Sequence, residues 1–367
     1  MIITRTPFRI SFFGGGTDYP AWYREHGGAV LAATINKYCY LTCRYLPPFF
    51  EHRYRVVYSR IESTFTIDQI KHPSVRETLR WLNFSRGVEI HHDGDVPARS
   101  GMGSSSAFTV GLLNALHALS GNMCTKQELT RQAIELEQNR LGETVGSQDQ
   151  VSAAYGGFNH ILFHPSDEIS VRPVIMPAAR QREFTSHLML CYTGIKRTSS
   201  DIASSYAPKL EDKRRQLRIL KDMVDEAISI LSSDKPLDAF GELLHEGWLV
   251  KRSLSESISN SEIDSVYETA RRAGALGGKI TGAGGGGFLL LFAPPERHAA
   301  IKQAIGNVFE VPFDLEAGGS QVIFYDHEED YSMLDQEAAL LPERRFREAN
   351  ITHAEFNPAT TTFTAAL

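Results

Sequence analysis

The sequence predicts an α+β protein of two domains, and three observations support this class. A chain of 367 residues is longer than one hydrophobic core usually organises. Its first half mixes short β-rich runs with a few helical stretches. Its second half is helical at first, and strand and helix then alternate as in a small α+β unit. We place the boundary near residue 195, which gives domains over 1–195 and 196–330 and an extension over 331–367.

The elements of the first domain follow from local patterns. Apolar residues at helical spacing predict a helix over Ser104–Leu119, and a capping box opened by Thr125 predicts a second helix that ends near Arg140. Runs rich in β-branched, aromatic and aliphatic residues predict the strands Ile2–Thr4, Arg9–Phe13, Lys37–Leu46, Gly87–His92, Gly156–Phe163 and His187–Tyr192.

The second domain begins with a long helical region. Between residues 199 and 272 apolar side chains recur on one helical face, Asp234-Lys-Pro236 interrupts the pattern, and Ser261 is the predicted cap of a further helix. The predicted elements that follow are the strand Phe288–Phe292, a helix that opens near Pro294 and the strand Gln321–Tyr325.

Composition and charge exclude several classes of protein. With 42% apolar and 22% charged residues, the chain is neither fibrous nor wholly disordered. A formal net charge of −6 argues against a nucleic-acid partner. We expect no signal peptide, because Arg5 and Arg9 interrupt the N-terminal apolar run. We expect no membrane contact, because the longest strongly apolar stretch, Phe288–Ala293, is far too short to span a bilayer. Four cysteines without metal-binding spacing predict free thiols in a reduced, cytoplasmic protein.

Glycine is concentrated in three stretches of the chain. Residues 14–16, 101–103 and 277–287 hold twelve of the 29 glycines. Such density is typical of backbone that adopts positive φ or approaches a ligand closely. In the middle stretch, Pro97-Ala-Arg-Ser-Gly-Met-Gly-Ser-Ser-Ser-Ala107 lies between a predicted strand and helix, where the first N–H groups of the helix can bind an anion. Taken alone, this loop is more often a glycine turn followed by a serine N-cap.

The three glycine-rich stretches together resemble the GHMP kinase superfamily. The first is Pro7-Phe-Arg-Ile-Ser-Phe-Phe-Gly-Gly-Gly-Thr-Asp-Tyr-Pro20 and the third is Lys279-Ile-Thr-Gly-Ala-Gly-Gly-Gly-Gly-Phe288. The resemblance extends from residue 1 to about 330. It implies a two-domain fold, with an N-terminal domain like domain 2 of ribosomal protein S5, a ferredoxin-like C-terminal domain and an active site between them. It also implies ATP and Mg²⁺ as cofactors.

The resemblance assigns candidate roles to residues of this chain. A magnesium ion would be held by the Ser105 hydroxyl and the Glu137 carboxylate, and Glu135 serves as the control because it lies on another face of the helix. The alternative role of Glu137 is a solvated helix charge. The candidate ATP-binding residues are Pro97, Gly101, Met102, Gly103, Ser104, Ser105, Ser106 and Ala107.

Two further residues match the catalytic positions of the superfamily. Asp149, in Gly146-Ser-Gln-Asp-Gln150, matches the aspartate that takes the proton of the acceptor hydroxyl. Arg9 matches the basic residue of the first motif and would offset charge on the transferred phosphate. Asp18 matches the sugar-binding aspartate of galactokinases. Each aspartate taken alone is also a common turn residue.

One departure from the pattern bears on the acceptor. Gly15 and Gly16 stand where galactokinases have Glu-His, so galactose is doubtful and a differently shaped sugar is expected. The first motif, with Tyr192-Thr-Gly-Ile-Lys-Arg-Thr-Ser-Ser-Asp201, is most similar to D-glycero-D-manno-heptose 7-phosphate kinases. Arg197 is a candidate for the sugar phosphate, although a basic pair on an exposed loop is the alternative. The candidate substrate-binding residues are Gly15, Gly16, Thr17, Asp18, Arg197, Gly282, Gly284 and Gly285.

Other functions remain open at this point. The chain is expected to be an ATP-dependent kinase for a heptose 7-phosphate in nucleotide-heptose and surface polysaccharide synthesis. The alternatives are a kinase for galactose, fucose or an N-acetylhexosamine, and a non-catalytic sugar sensor of the same fold. The expected partners are a sugar phosphate and ATP, and a homodimer is possible.

Overall fold

The computed structural model describes residues 1–48, 50–98, 100–195, 211–306, 308–327, 331 and 333–334. Among these residues, thirteen strands form two sheets. The strands are β1 (Ile2–Phe13), β2 (Gly28–Tyr45), β3 (Tyr54–Val57), β4 (Ile61–Thr64), β5 (Val88–Gly94), β6 (Phe158–Phe163), β7 (Ile169–Pro173), β8 (Leu188–Tyr192), β9 (Gly277–Ile280), β10 (Phe288–Phe292), β11 (Phe309–Glu310), β12 (Leu315–Glu316) and β13 (Gln321–Tyr325).

Helices of three kinds accompany the sheets. The α-helices of the described part of the chain are α1 (Pro20–His26), α2 (Pro73–Trp81), α3 (Ser104–Leu119), α4 (Lys126–Ile134), α5 (Gln148–Tyr155), α6 (Ala178–Ser186), α7 (Arg214–Leu231), α8 (Asp238–Arg252), α9 (Ser261–Arg272) and α10 (His298–Ile305). Short 3₁₀ turns span Ile67–Gln69, Glu211–Lys213, Glu256–Ile258 and Pro295–Arg297, and a π-helical turn spans Glu135–Arg140. None of the described helices combines the length and apolar character that a membrane crossing requires.

The larger sheet is organised around β1 and β2, which pair antiparallel along most of their length. Its order is β13-β1-β2-β5-β3-β4, and β6 and β12 also pair with β2 while β7 pairs with β6. The β3–β5 pairing is parallel, and the others are antiparallel. Helices α3 and α5 pack on β1 and β2, so the loop before α3 lies at the end of this packed layer.

The smaller sheet has the order β11-β8-β10-β9 and is antiparallel throughout. Its strand β10 is fully buried, as a continuous apolar run predicts. Four phenylalanines join the two sheets: Phe12 of β1, Phe184 of α6, Phe240 of α8 and Phe292 of β10 lie within 4.9 to 5.8 Å of their ring neighbours. This aromatic contact fixes β1 against the smaller sheet. The predicted α+β class is confirmed.

The sheets do not divide at the predicted boundary near residue 195. Strand β8 precedes that point but pairs with β10 of the smaller sheet. Strands β12 and β13 lie near the end of the second predicted domain, yet they pair with β2 and β1 of the larger sheet. Long-range strand pairing leaves no local trace in the sequence, and a boundary drawn by chain position misses it. Most of the predicted extension over 331–367 lies outside the described residues.

Several predicted elements change in extent. The two predicted strands at the N-terminus are one strand, because a register shift after Pro7 accommodates the residue that lacks an N–H. Strand β2 begins at Gly28 because its first residues pair with β6. Asn260, rather than Ser261, caps α9 and accepts from the N–H groups of the first turn. The predicted helix over Ser104–Leu119 and the Thr125 capping box are confirmed.

Candidate active site

A cavity of about 950 Å³ lies where the loops of the two sheets meet. Gly15 and Gly16 of the first glycine-rich stretch line it, as do Gly101 and Gly103 of the second and Gly282 of the third. Stretches more than 80 residues apart in sequence therefore converge on one space. The structure brings together the three features on which the predicted kinase site depends.

The loop before α3 has the backbone of an anion-binding turn. Gly101 and Gly103 adopt φ values of 79° and 73°, and Gly103 is the residue that precedes the 16-residue helix. A Cβ on Gly101 would lie 2.5 Å from the carbonyl oxygen of Thr281, so a side chain does not fit there. The N-terminus of a helix offers free N–H groups and the positive end of its dipole, and both favour phosphate.

The predicted ATP-binding residues separate into two groups. The two glycines and the serines that begin α3 line the cavity. Met102 and Ala107 are buried in the hydrophobic core, and exposed Pro97 is not among the described residues that line the cavity. The side chains of Met102 and Ala107 therefore support the loop from beneath. The serines that line the cavity are Ser104, Ser105 and Ser106.

Arg9 and Asp149 form a bidentate ion pair in the cavity wall. The Arg9 Nε and Nη2 atoms donate to the two carboxylate oxygens of Asp149 at 2.8 and 2.7 Å. Arg9 Nη1 also donates to the Gly101 carbonyl oxygen at 2.6 Å, which ties the pair to the loop before α3. The side chain of Arg9 is 5% exposed and that of Asp149 is 25% exposed. The carboxylate is thus held firmly and still reaches the cavity.

Asp18 lies on the cavity wall close to the same pair. Its carboxylate accepts from the backbone N–H groups of Gly16 at 2.9 Å and Gln148 at 3.3 Å. Burial raises the pKa of Asp18, and the negative charge of Asp149 acts in the same direction. These contacts link the first glycine turn to the N-terminus of α5, which bears Asp149.

The first glycine turn contributes backbone to the site. Thr17 is fully buried, and its hydroxyl donates to the carbonyl oxygens of Gly14 and Ala29 at 2.8 and 2.9 Å. The Thr17 side chain therefore closes the turn and is not among the described residues that line the cavity. At Gly15 an added Cβ would make only ordinary contacts, the nearest at 3.6 Å, so the cavity has room beside this residue.

Glu137 is a second buried carboxylate of the site. One of its oxygens, Oε2, accepts from the Ser106 hydroxyl at 2.8 Å and from the Gln150 amide. The other, Oε1, has no partner with good hydrogen-bond geometry among the described residues. Burial raises the pKa of Glu137 to about 7, and the nearby Thr109 hydroxyl opposes that rise. Ser105 is exposed to the cavity but is not the serine on Glu137. Neighbouring residues of a helix point about 100° apart, so Ser106 hydrogen-bonds to Glu137 while Ser105 is exposed to the cavity.

The π-helical turn determines which glutamate faces inward. The predicted helix does extend to Arg140, but its hydrogen bonding changes from the α-helical to the wider π-helical i→i+5 pattern at Glu135. Glu137 is then buried, whereas Glu135 is half exposed and accepts from the Asn139 side chain at 2.5 Å. Glu135 is the solvated helix charge that was expected of the control residue.

The third glycine-rich stretch enters the cavity only in part. Gly282 lines it, and a Cβ there would lie 2.6 Å from the Gly101 carbonyl oxygen. Gly284 and Gly285 instead pack against Ile258, whose carbonyl accepts from the Gly285 N–H at 2.8 Å. These two glycines are not among the described residues that line the cavity, and a substrate contact by either stays a prediction. Arg197 lies outside the described residues.

Two buried lysines, one in the cavity wall and one behind it, were not identified from the sequence. Lys251 lines the cavity, donates to the Gly282 carbonyl, and has its pKa lowered to about 8 by burial. Lys279 donates to the carbonyls of Ser11 and Phe12 at 2.8 and 3.0 Å and so ties β9 to β1, while burial lowers its pKa well below the usual range. Lys279 lies within the third glycine-rich stretch, which is a usable signal, whereas Lys251 lies in an ordinary helical pattern.

A group of aromatic and basic side chains also lines the cavity. The imidazole of His72 stacks on Phe108 at 4.8 Å, Tyr58 meets His72 at 4.9 Å, and His92 meets Phe108 at 5.1 Å. All four side chains line the cavity. The basic side chains of the group are Arg60 and Lys71.

Comparison with known proteins establishes the family. The model of the GHMP kinases N terminal domain matches residues 70–157, and that of the GHMP kinases C terminal domain matches residues 230–311. A D-glycero-alpha-D-manno-heptose 7-phosphate kinase of Campylobacter jejuni is 30% identical over 346 residues, which cover 86% of this chain and 97% of the relative. The chain therefore belongs to the GHMP kinase family. It is a sugar kinase, a phosphotransferase with an alcohol acceptor, and ATP is the phosphate donor of this family.

Solved structures confirm the two-domain GHMP kinase fold. A D-glycero-D-manno-heptose 1-phosphate kinase from Bacteroides thetaiotaomicron superposes with a TM-score of 0.72 at 25% identity, over 89% of this chain and all of the other. A galactokinase of Lactococcus lactis in complex with galactose superposes with a TM-score of 0.68 at 18% identity, over 88% of this chain and 95% of the other. At that identity the galactokinase shows the fold alone.

Proposed function

We propose that this protein transfers the γ-phosphoryl group of ATP to the anomeric hydroxyl of D-glycero-D-manno-heptose 7-phosphate, for nucleotide-heptose and surface polysaccharide synthesis. The observation that carries the proposal is the position of the Asp149 carboxylate, held by Arg9 at the cavity wall beside the loop before α3. Two relatives that align with most of the chain are named as heptose phosphate kinases, which supports the acceptor class.

The chemistry assigns a separate task to each element. The N-terminus of α3 binds the nucleotide phosphates through its N–H groups and serine hydroxyls. Asp149 takes the proton of the acceptor hydroxyl as that oxygen attacks the γ-phosphorus in line. Arg9 orients the carboxylate and offsets charge on the transferred group. Asp18 accepts hydrogen bonds from sugar hydroxyls and holds the acceptor beside the first glycine turn.

The space beside Gly15 favours a larger acceptor than galactose. A side chain would fit sterically at this position, since the nearest atom to an added Cβ is 3.6 Å away. Glycine therefore leaves volume that a seven-carbon sugar phosphate can fill. Because Gly15 and Asp18 both line the cavity near the base, this volume adjoins the reacting hydroxyl.

A magnesium ion fits the buried carboxylate of Glu137. Its Oε1 atom has no partner with good hydrogen-bond geometry among the described residues, and a buried carboxylate oxygen of this kind is completed by a hard cation. Glu137, with hydroxyls of Ser105 or Ser106, would hold the ion. Bound Mg²⁺ would neutralise the charge of the β- and γ-phosphates.

The aromatic rings that line the cavity are suited to the purine of ATP. His72 and Phe108 stack on each other, and further rings from Tyr58 and His92 complete an aromatic wall. Purines stack on aromatic faces with favourable energy. The acceptor then lies between Asp18 and Asp149.

A substrate panel tests the proposed acceptor. ATP is supplied with heptose 7-phosphate, free heptose, galactose, fucose and an N-acetylhexosamine, and the product's phosphorylation site is identified by ³¹P and ¹³C NMR. We expect turnover of heptose 7-phosphate at its anomeric oxygen and loss of that turnover in Asp149→Ala. Faster turnover of an unphosphorylated hexose would contradict the heptose assignment. Failure with every sugar, with sugar binding retained, would favour a non-catalytic sensor.

A further inference from the structure

A buried lysine in the cavity wall has hydrogen-bond donors that the reaction described above does not use. Lys251 lies in the last turn of α8 and is 6% exposed. Its acceptor among the described residues is the Gly282 carbonyl. An ammonium group carries three protons, so Lys251 retains donors for a further acceptor. Because the side chain lines the cavity, that acceptor can be a ligand.

The contact with Gly282 places Lys251 beside the reacting groups. The backbones of Gly282 and Gly101 touch, since a Cβ on Gly282 would lie 2.7 Å from the Gly101 α-carbon. The Gly101 carbonyl also accepts from Arg9, and Arg9 holds Asp149. Lys251, Arg9 and Asp149 therefore converge on the start of the loop that precedes α3.

The cations of this region differ in how fully they are engaged. Arg9 is bound by Asp149 and the Gly101 carbonyl, and Lys279 is bound by two carbonyls of β1. Lys251 has its one carbonyl partner in the described part of the chain and lies within electrostatic reach of Asp18 and Asp149. Burial, followed by repulsion from Arg9, lowers the pKa of Lys251 to about 8. An anion that enters beside this ammonium would recover part of its lost solvation.

We propose that Lys251 is a second catalytic cation, whose ammonium contacts the phosphoryl group during its transfer. This inference rests on the proposed phosphoryl transfer. In that step the bond from the γ-phosphorus to the β–γ bridging oxygen breaks and the bond to the acceptor oxygen forms. The acceptor proton goes to Asp149, and Lys251 exchanges no proton. Its donors bind oxygens whose negative charge moves as the group passes between the two substrates.

Two other roles for the same lysine make different predictions. A purely structural Lys251 would tie α8 to the third glycine-rich stretch, so its loss would affect unfolding and leave turnover intact. A Lys251 that binds the phosphate carried by the acceptor would affect acceptor KM and the preference for phosphorylated sugars. Only contact with the transferred group acts mainly on kcat.

The test compares Lys251→Met and Lys251→Arg with Lys221→Met. Lys221 is a matched control, because its ammonium also donates to a backbone carbonyl, that of His26 at 3.1 Å, and does not line the cavity in the described residues. Kinetics are measured with ATP and the acceptor that the substrate panel identifies. We expect Lys251→Met to lower kcat about 10²- to 10³-fold, with less than a threefold change in acceptor KM. Lys251→Arg should recover part of that loss, and Lys221→Met should match the wild type.

A binding measurement separates this proposal from the identity of the sugar. ADP affinity is measured by calorimetry with and without aluminium fluoride, which mimics the planar phosphoryl group. Lys251→Met should bind ADP with the affinity of the wild type. It should lose most of the increase in ADP affinity that aluminium fluoride provides. An undiminished gain would overturn the proposal even if the heptose assignment held. Conversely, a lost gain together with a different preferred sugar would overturn only the heptose assignment.

The pH profile supplies a readout that a structural role would not alter. Arg9 of β1, Asp18 of the following turn, Asp149 of α5 and Lys279 of β9 all act on the Lys251 ammonium. With its pKa lowered to about 8, the free enzyme should lose kcat/KM as pH rises through that value. Lys251→Arg should shift this loss to higher pH, because guanidinium remains charged. If kcat/KM fell at the same pH in Lys251→Arg as in the wild type, the assignment would be contradicted.

Discussion

Replacement of Arg9 and Asp149, singly and together, tests the centre of the proposed mechanism. The pair has two hydrogen bonds of 2.8 and 2.7 Å, and its arginine is 5% exposed. Asp149→Asn keeps the shape of the side chain and removes its charge, while Arg9→Met removes the guanidinium and keeps much of the apolar stem. The double variant then shows how far the two residues act as a unit.

The expected coupling energy follows from burial and geometry. Exposed ion pairs contribute about 0–1 kcal/mol, whereas breaking a fully buried pair costs about 3–5 kcal/mol. Asp149 is 25% exposed, so solvent screens part of the interaction. We therefore expect a coupling free energy of unfolding of about 2 kcal/mol, which lies between these limits.

Urea unfolding of the wild type, the two single variants and the double variant measures this coupling. Steady-state kinetics of the same four proteins measure the coupling in kcat. Asp149→Asn should lower kcat about 10²- to 10⁴-fold, because the base is lost. The double variant should be little slower than the slower single variant, since residues that act as a unit are not additive. Arg24 and Asp167 provide the control, a pair with a 2.8 Å contact in which both side chains are more than half exposed. Asp167→Asn should change the free energy of unfolding by less than about 0.5 kcal/mol and leave kcat unchanged.

Two results would refute this reasoning. If Asp149→Asn kept more than a tenth of wild-type kcat, the residue would not be the base. If the effects of the single variants on unfolding simply added, the observed ion pair would carry no coupling energy, and its role in orienting the carboxylate would be wrong.

Three further predictions concern the metal, the loop contact and the acceptor. Glu137→Gln should raise the Mg²⁺ concentration for half-maximal rate at least about tenfold, and Glu135→Gln should not, as a magnesium titration of turnover will show. Gly282→Ala should destabilise folding by about 3 kcal/mol or more, against about 1–2 kcal/mol for Gly142→Ala. The two glycines share a φ near 66°, but only at Gly282 would an added Cβ lie within 4 Å of other backbone atoms. Equal losses of unfolding free energy in the two variants would therefore contradict the contact between Gly282 and Gly101. Gly15→Leu should raise acceptor KM about tenfold and leave ATP KM unchanged, because only the proposed sugar site beside Gly15 loses volume. An unchanged acceptor KM would place the sugar elsewhere.

Local pattern was sufficient for much of the secondary structure. The helix over Ser104–Leu119, the strand Phe288–Phe292 and the strand Gln321–Tyr325 occur at the predicted residues. Periodicity, capping and turn residues act within a few positions of the chain, and these elements depend on such signals. The elements between residues 54 and 81 were not identified.

The positions of Arg9, Asp18 and Asp149 were predictable because each lies in a stretch with a recognisable pattern. The sequence placed Glu137 correctly on a helix, but the π-helical turn that buries it arises from packing. The choice of Ser106 over Ser105 as its partner follows from helix phase relative to that turn. Such orientations depend on contacts between segments far apart in sequence.

By itself, the sequence determined the α+β class, the kinase family and the three backbone turns on which the site is built. These properties depend on glycine, which permits conformations that other residues do not, and on its local spacing. The tertiary structure alone decided that Lys251 belongs to the site and that β12 and β13 return to the larger sheet. The role of a buried lysine in an ordinary helix depends on the carbonyl and carboxylate groups that surround it in the folded protein. Burial and long-range pairing are properties of the packed molecule, so they leave no local pattern to read.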